Sequence, residues 1–301
     1  MIPLHAPIID EDDIKLVIKN LQSGWISTSS KDISKFEKKL NSITKSKFSI
    51  ALNSGTSALH LALAGIGVTK NDEVIVPTLT FIASINSVSY LGASPIFMDC
   101  DDYMNLDINK VIEFLNTKTY FKNGYTYNTN TKKKIKAIVV VHVFGNVLNF
   151  IKLKNICKKI NIKIIEDAAE SLGSYLNLKN KKIHTGLIGD VGCISFNGNK
   201  IITTGSGGAI ITKSKKLNQK ILHLSNQAKK DQINFVHNEI GYNYRMNGLT
   251  SALGVSQLKK LTKYLHLKKN INIKYKNYFK KKSYEVLSNP PNSISNNWIN
   301  I

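Results

Sequence analysis

Arginine is almost missing from this sequence: a single one, Arg245, stands among 42 basic side chains. Acid is scarce too, with 20 Asp and Glu leaving a formal charge of +22 over 301 residues. The excess is lysine in the company of many asparagines and isoleucines, as an AT-rich genome produces. Its runs, such as KKK at 132–134 and 280–282, sit in polar surroundings and read as a solvated surface rather than a phosphate-binding stripe. No recognition helix and no interleaving of aromatic with basic residues accompanies them, so no nucleic-acid partner is expected. An arginine kept in such a composition marks a place where a planar, forked donor matters more than a point charge.

Cysteine is nearly as rare. Cys100, Cys157 and Cys193 are odd in number and scattered, which speaks against a disulfide framework or a metal site and for reduced thiols. No apolar run is long enough to span a bilayer. MIPLHAPIIDEDD turns acidic where a signal peptide needs its apolar stretch. A cytoplasmic protein without a membrane partner is expected. There is no G-x-G-x-x-G fingerprint, no Ser-His-Asp pattern and no repeat of 20–50 residues.

What is present is alternation. Apolar runs at 48–52, 73–77, 95–99, 137–143, 162–167, 191–196 and 207–212 read as strands, and helical patterns lie between several of them. Near-continuous apolar strands separated by helices imply an α/β three-layer sandwich around a mainly parallel sheet. The lysine- and asparagine-rich stretch 116–136 reads as a polar loop. A long helix is expected across 250–282, and the tail from Tyr284 reads as a strand, a proline turn and the opening of another strand. The division expected is a large domain over 1–245 and, over 246–301, the long helix with part of a small C-terminal domain.

In such sheets ligands bind beyond the carboxyl ends of the strands, and three strand ends carry chemistry. NSGTSALHLAL leaves a strand at Asn53 and opens a nearly all-apolar helix, so that Gly55, Thr56 and Ser57 present free N–H groups to an anion; taken alone it reads first as a plain helix cap. In IKIIEDAAESLGS, Asp167 falls where the apolar strand ends; it could cap the next helix, and if buried it needs a positive partner. In SFNGNKIITTGSGGAIIT, Lys200 sits between the Asn197-Gly198-Asn199 turn and a glycine-rich apolar run. A free lysine is a neutral amine in only about one molecule in 2,500 at pH 7, so a nucleophilic lysine requires such confinement, although a snorkelling side chain fits the position as well. Anion cradle, strand-end aspartate and confined lysine together suit pyridoxal phosphate (PLP), with Phe81 in PTLTFIAS available to cover its ring.

SGWIST, NSGTSALHLAL, PTLTFIAS, EDAAESLGS, SFNGNKIITTGSGGAI and GYNYRMN occur in this order. Together they resemble the sugar-nucleotide aminotransferases of the DegT family, which have the PLP-dependent fold type I of aspartate aminotransferase. SFNGNKIITTG resembles most closely the branch serving legionaminic acid and related nonulosonates. The resemblance spans most of 1–260. It implies that Lys200 carries the Schiff base and shuttles protons, and that Asp167 pairs with the pyridine nitrogen. Glu170 would stand near the ring hydroxyl, where the family usually has glutamine or histidine. Gly55, Thr56, Ser57 and Ser195 would bind the phosphate, Phe81 would stack on the ring, and Asn243 would reach the phosphate of a neighbouring subunit in a homodimer. Trp25 and Ser27 match a substrate-side segment. The activity implied is amino transfer, with glutamate as donor, to a nucleotide-linked 4-keto-6-deoxy sugar of surface-glycan synthesis.

Two departures accompany it: Val147 stands where relatives often have proline, and relatives run on through a small domain whose beginning SNNWINI resembles. A dehydratase of the same family would carry histidine in place of Lys200. The rivals are a catalytically impaired remnant of the family and a basic regulatory protein.

Overall fold

The computed structural model describes residues 5–178, 181–231 and 233–301; the first four residues of the N-terminal stretch read above lie outside them. The strands are β1 (Phe48–Leu52), β2 (Asp72–Pro77), β3 (Ser94–Met98), β4 (Thr119–Lys122), β5 (Tyr125–Asn128), β6 (Lys134–Val141), β7 (Lys163–Asp167), β8 (Tyr175–Leu178), β9 (Lys181–His184), β10 (Val191–Ser195) and β11 (Gly208–Thr212). The helices are α1 (Glu11–Gln22), α2 (Lys31–Thr44), α3 (Gly55–Gly65), α4 (Ala83–Ser89), α5 (Ile108–Thr117), α6 (Ile151–Lys159), α7 (Lys215–Ser225) and α8 (Gly248–Lys280). The central sheet runs β1-β11-β10-β7-β6-β2-β3. Its neighbours from β10 to β3 are parallel, and β11 runs antiparallel to both β10 and β1.

All seven apolar runs of the sequence are strands of this sheet, and for those inside it the two covered faces explain why they are apolar throughout. Ala137, Val139 and Val141 of β6 join a buried cluster with α3 and α7, while Ile138 and Val140 point into another with α5 and α6. A strand covered on both sides has no polar face to show. Helix α3 is buried from Ser57 to Leu63, and the hydroxyl of its cap, Ser54, accepts the Ser57 N–H at 3.0 Å. A third cluster joins Phe36 of α2, Phe196, Leu258 and Leu261 of α8, and Trp298.

Two expectations are corrected. The stretch 116–136 contains a β-hairpin, β4–β5, whose turn is Asn123-Gly124 with both residues at positive φ, 50° and 79°, a backbone this dipeptide favours. Its inward residues are polar: Thr126 donates to the Ile160 carbonyl at 2.6 Å and Asn128 to Glu73 at 2.9 Å. Inward polar groups erase the alternation that betrays a strand. In the tail, Tyr284–Leu287 form no ladder; the pairing comes later, where Ser293–Ile294 run antiparallel to β8. Val147, the departure noted above, is fully buried.

Candidate active site

β1, β2, β6, β7 and β10 point their carboxyl ends the same way, and the segments leaving them line one cleft of about 490 Å³. After β1 come Ser54, Gly55 and Thr56; after β2, Thr80 and Phe81; after β6, Val143 and Phe144. Asp167 and Glu170 follow from β7, and Ser195, Asn197 and Lys200 from β10. The sheet thus gathers residues separated by up to 146 positions, from Ser54 to Lys200.

Lys200 emerges from the turn anticipated for it: its N–H bonds to the Asn197 carbonyl at 3.0 Å. Its side chain is 13% exposed, and Nζ lies 3.5 Å from Oε1 of Glu170. Asp167 is buried and accepts from the Ser84 hydroxyl at 2.6 Å and the Ala169 N–H at 3.1 Å. Burial pushes the Asp167 carboxyl above its ordinary range, against the pull of those two hydrogen bonds and of the Lys200 charge. Glu170 is pushed the same way by burial and drawn back by Lys200 and by the Phe144 N–H, which it accepts at 2.8 Å. Both carboxyl groups thus face a cleft in which a positive ligand atom would relieve them.

Behind Asp167 lies a polar network buried in the protein. Glu166 is fully buried and accepts from His142 Nε2 at 2.8 Å, the Gly186 N–H at 2.7 Å and the Gly189 N–H at 2.5 Å. His142 Nδ1 accepts the Leu148 N–H at 3.1 Å, which leaves the ring proton on Nε2 for Glu166.

Of the residues singled out in the sequence, Gly55, Thr56, Phe81, Asp167, Glu170, Ser195 and Lys200 line the cleft. Ser57 sits just behind it in α3, its hydroxyl 2.8 Å from that of Ser54. Asn243 is exposed and pairs with Asn226 in an isolated bridge, away from the lining. Trp25 and Ser27 are exposed beyond α1 and do not touch the cleft. Arg245 lies outside as well: its guanidinium pairs with Glu37 of α2 at 3.0 Å, so the one forked donor ties the chain after Asn243 to the helix layer. Sequence reasoning missed Ser84, Phe144 and Trp298. Ser84 closes the PTLTFIAS stretch already under suspicion, Trp298 is one of only two tryptophans, and Phe144, with φ of 58°, gives no sequence signal for its left-handed backbone.

The sequence pattern of the DegT/DnrJ/EryC1/StrS aminotransferase family matches residues 7–301. The chain belongs to this family. It is 35% identical to GDP-perosamine synthase of Vibrio cholerae, over 90% of this chain and 69% of that protein. It is 36% identical to the UDP-4-amino-4,6-dideoxy-N-acetyl-beta-L-altrosamine transaminase of Campylobacter jejuni serotype O:23/36, over 94% and 71%. A Streptococcus pneumoniae protein solved in its PLP form superposes with a TM-score of 0.86 at 26% identity, covering 99% of this chain and 76% of that one. The chain is therefore a PLP-dependent sugar-nucleotide aminotransferase with the fold expected of it. The cleft of this aminotransferase suits the cofactor: the first N–H groups of α3 lack partners within the helix, Asp167 is a buried carboxylate open to a cation, and Phe81, 72% exposed, stands free at the rim.

Proposed function

We propose that this aminotransferase moves the amino group of glutamate to the 4-keto group of a nucleotide-linked 6-deoxy sugar. The Campylobacter relative, whose name carries a 4-amino-4,6-dideoxy sugar on UDP, supports the position of the amine. The observation that carries the reading is the approach of Lys200 and Glu170 at 3.5 Å inside the cleft that Asp167 also lines.

When bound, PLP supplies an aldehyde that takes up the amino group and a ring that holds the electrons released at the reacting carbon. The protein's part is placement. The N–H groups of Gly55 and Thr56 at the start of α3, with the Ser195 hydroxyl, would hold the phosphate, where the helix dipole favours negative charge, and Ser57 would support them from just behind the cleft through its contact with Ser54. Asp167, braced by Ser84 and Ala169, keeps a proton on the pyridine nitrogen and by pairing with it loses the cost of its own burial. Phe81 covers the ring face and sheds water from it. Glu170, which accepts from Lys200 Nζ at 3.5 Å, would orient that lysine and take the place beside the ring hydroxyl. Lys200 Nζ would hold the cofactor through its aldehyde group and, when free of it, would serve as the base that moves the proton during amino transfer.

Asn243 serves the phosphate of a second copy, which makes the working unit a homodimer, and Trp25 and Ser27 face the substrate. The exposure of all three in the single chain supports this reading. The cytoplasm, where nucleotide sugars are made, is the proposed compartment, and 1–245 with 246–301 the proposed division into domains. The test is single-turnover spectroscopy: glutamate bleaches the visible band of the PLP-loaded protein, and a GDP- or UDP-linked 4-keto-6-deoxy sugar restores it. A band that glutamate leaves unchanged counts against glutamate as donor.

A further inference from the structure

Trp298 meets Lys200 face-on. The lysine Nζ lies 4.0 Å from the centroid of the indole ring, which is 5% exposed. One hydrogen bond fixes the ring and two fix its backbone. Its N–H donates to the Asn199 carbonyl at 2.6 Å, the backbone N–H donates to Asn296 Oδ1 at 3.0 Å, and the backbone carbonyl accepts from Lys268 Nζ at 3.0 Å. Asn296 in turn donates to the carbonyls of Glu170 and Leu172, at 2.8 and 3.0 Å. A ring held this firmly beside a flexible four-carbon stem decides where the amine at the end of that stem rests. Attraction between a cation and an aromatic face is greatest for tryptophan and grows when water is excluded.

The geometry points to Trp298 as a positioning residue for Lys200: its ring face is the resting place of the lysine amine whenever that amine is not bonded to the cofactor. The inference rests on the reading of Lys200 as the cofactor-bearing lysine. Condensation joins Nζ to the aldehyde carbon and releases one water. The donor's amino nitrogen then takes over that carbon, and Nζ leaves as a free amine. From there until it rebinds, the amine must stay beside the reacting carbon to move its proton, although a lysine ammonium is strongly hydrated and drawn to solvent. Trp298 on one side and Glu170 Oε1, at 3.5 Å, on the other keep it in the cleft.

Two substitutions separate this role from packing: Trp298→Phe keeps a ring face, and Trp298→Leu keeps apolar bulk without one. The readouts are the rate at which unloaded protein develops a visible band after PLP is added, and kcat and KM measured separately. Trp298→Leu slows band formation and lowers kcat, each about tenfold, at unchanged sugar KM, and Trp298→Phe recovers most of both. Equal losses in the two variants, wild-type rates in the Leu variant, or a loss confined to KM overturn the inference. Should either variant fail to fold, the intact tryptophan decides. Protein carrying 5-fluorotryptophan gives signals from Trp25 and Trp298 only, and Lys200→Met moves that of Trp298. An unmoved signal beside a normal band in the wild type sinks the inference alone; a wild type that forms no band with PLP sinks the functional reading and the inference with it.

Discussion

Gly55 and Ser195 approach so closely that a Cβ on Gly55 would lie 2.9 Å from the Ser195 Cβ and 3.2 Å from its hydroxyl. The first belongs to the opening turn of α3 and the second ends β10, so their contact joins the two halves of the proposed phosphate cradle. Gly55→Ala has nowhere to put its methyl group without pushing Ser195 aside. Overpacking of this kind costs about 1–3 kcal/mol, and the expected loss of PLP affinity is ~10-fold or more. Fluorescence titration of the unloaded protein with PLP measures it. Ser195→Gly in the same chain relieves the clash and recovers part of the affinity; an unchanged affinity in Gly55→Ala refutes the cradle.

The raised Asp167 and Glu170 carboxyls make the unloaded protein sensitive to pH. A carboxyl whose folded pKa lies above its unfolded value stabilises the fold below the unfolded pKa, and that contribution is lost as pH rises through the folded value. Unloaded protein therefore carries an uncompensated cost at pH 8. Asp167→Asn removes its share: Asn keeps an oxygen for the Ala169 N–H and an amide for the Ser84 hydroxyl. The variant melts higher than wild type at pH 8, and the gap closes as pH falls below the ordinary carboxylate range. Amino transfer nearly stops in the same variant, because a neutral amide does not hold a proton on the pyridine nitrogen. Melting curves at both pH values, with and without PLP, check the sign; a variant that melts lower at pH 8 contradicts it.

Glu166 offers a contrast, since all three of its partners donate to it. Glu166→Gln turns an amide N–H₂ toward at least one N–H donor and leaves buried donors unpaired, for which roughly 1–3 kcal/mol of stability is lost. Urea unfolding measures this. Because the network lies behind Asp167 rather than in the cleft, the loss persists with PLP bound.

Much of the fold was legible because the sheet is buried on both faces. Runs such as AIVVVHV and IKIIED read as buried strands, and the ends of two such runs lead to Asp167 and Lys200, which line one cleft. The β4–β5 hairpin was hidden by Thr126 and Asn128, polar side chains that are buried because specific acceptors await them. Trp298 was hidden for a different reason. Its partner, the Asn199 carbonyl, is 99 residues away in the chain, and a contact between turn and tail leaves no periodic trace. For Arg245 the scarcity of arginine signalled a need for a forked donor, but nothing in the sequence pointed to its recipient, Glu37 of α2.

Phe81 stands 72% exposed at the mouth of the cleft, where its ring face is free to lie against a bound ligand. Phe81→Ala loses the stacked face without touching Lys200 or Asp167, so the visible band still forms but PLP dissociates faster, by ~5–10-fold if the stacking is worth about 1–1.5 kcal/mol. Dialysis followed by absorbance measures the release; equal retention in both proteins rules out the stacking role.

Among dozens of lysines, Lys200 alone is proposed to carry the cofactor. Borohydride reduction of protein loaded with one equivalent of PLP, followed by peptide mass analysis, tests it directly. A phosphopyridoxyl group is expected on Lys200 and, in Lys200→Ala, at no single position. A label spread over surface lysines in the wild type, or concentrated on a lysine other than Lys200, would contradict it.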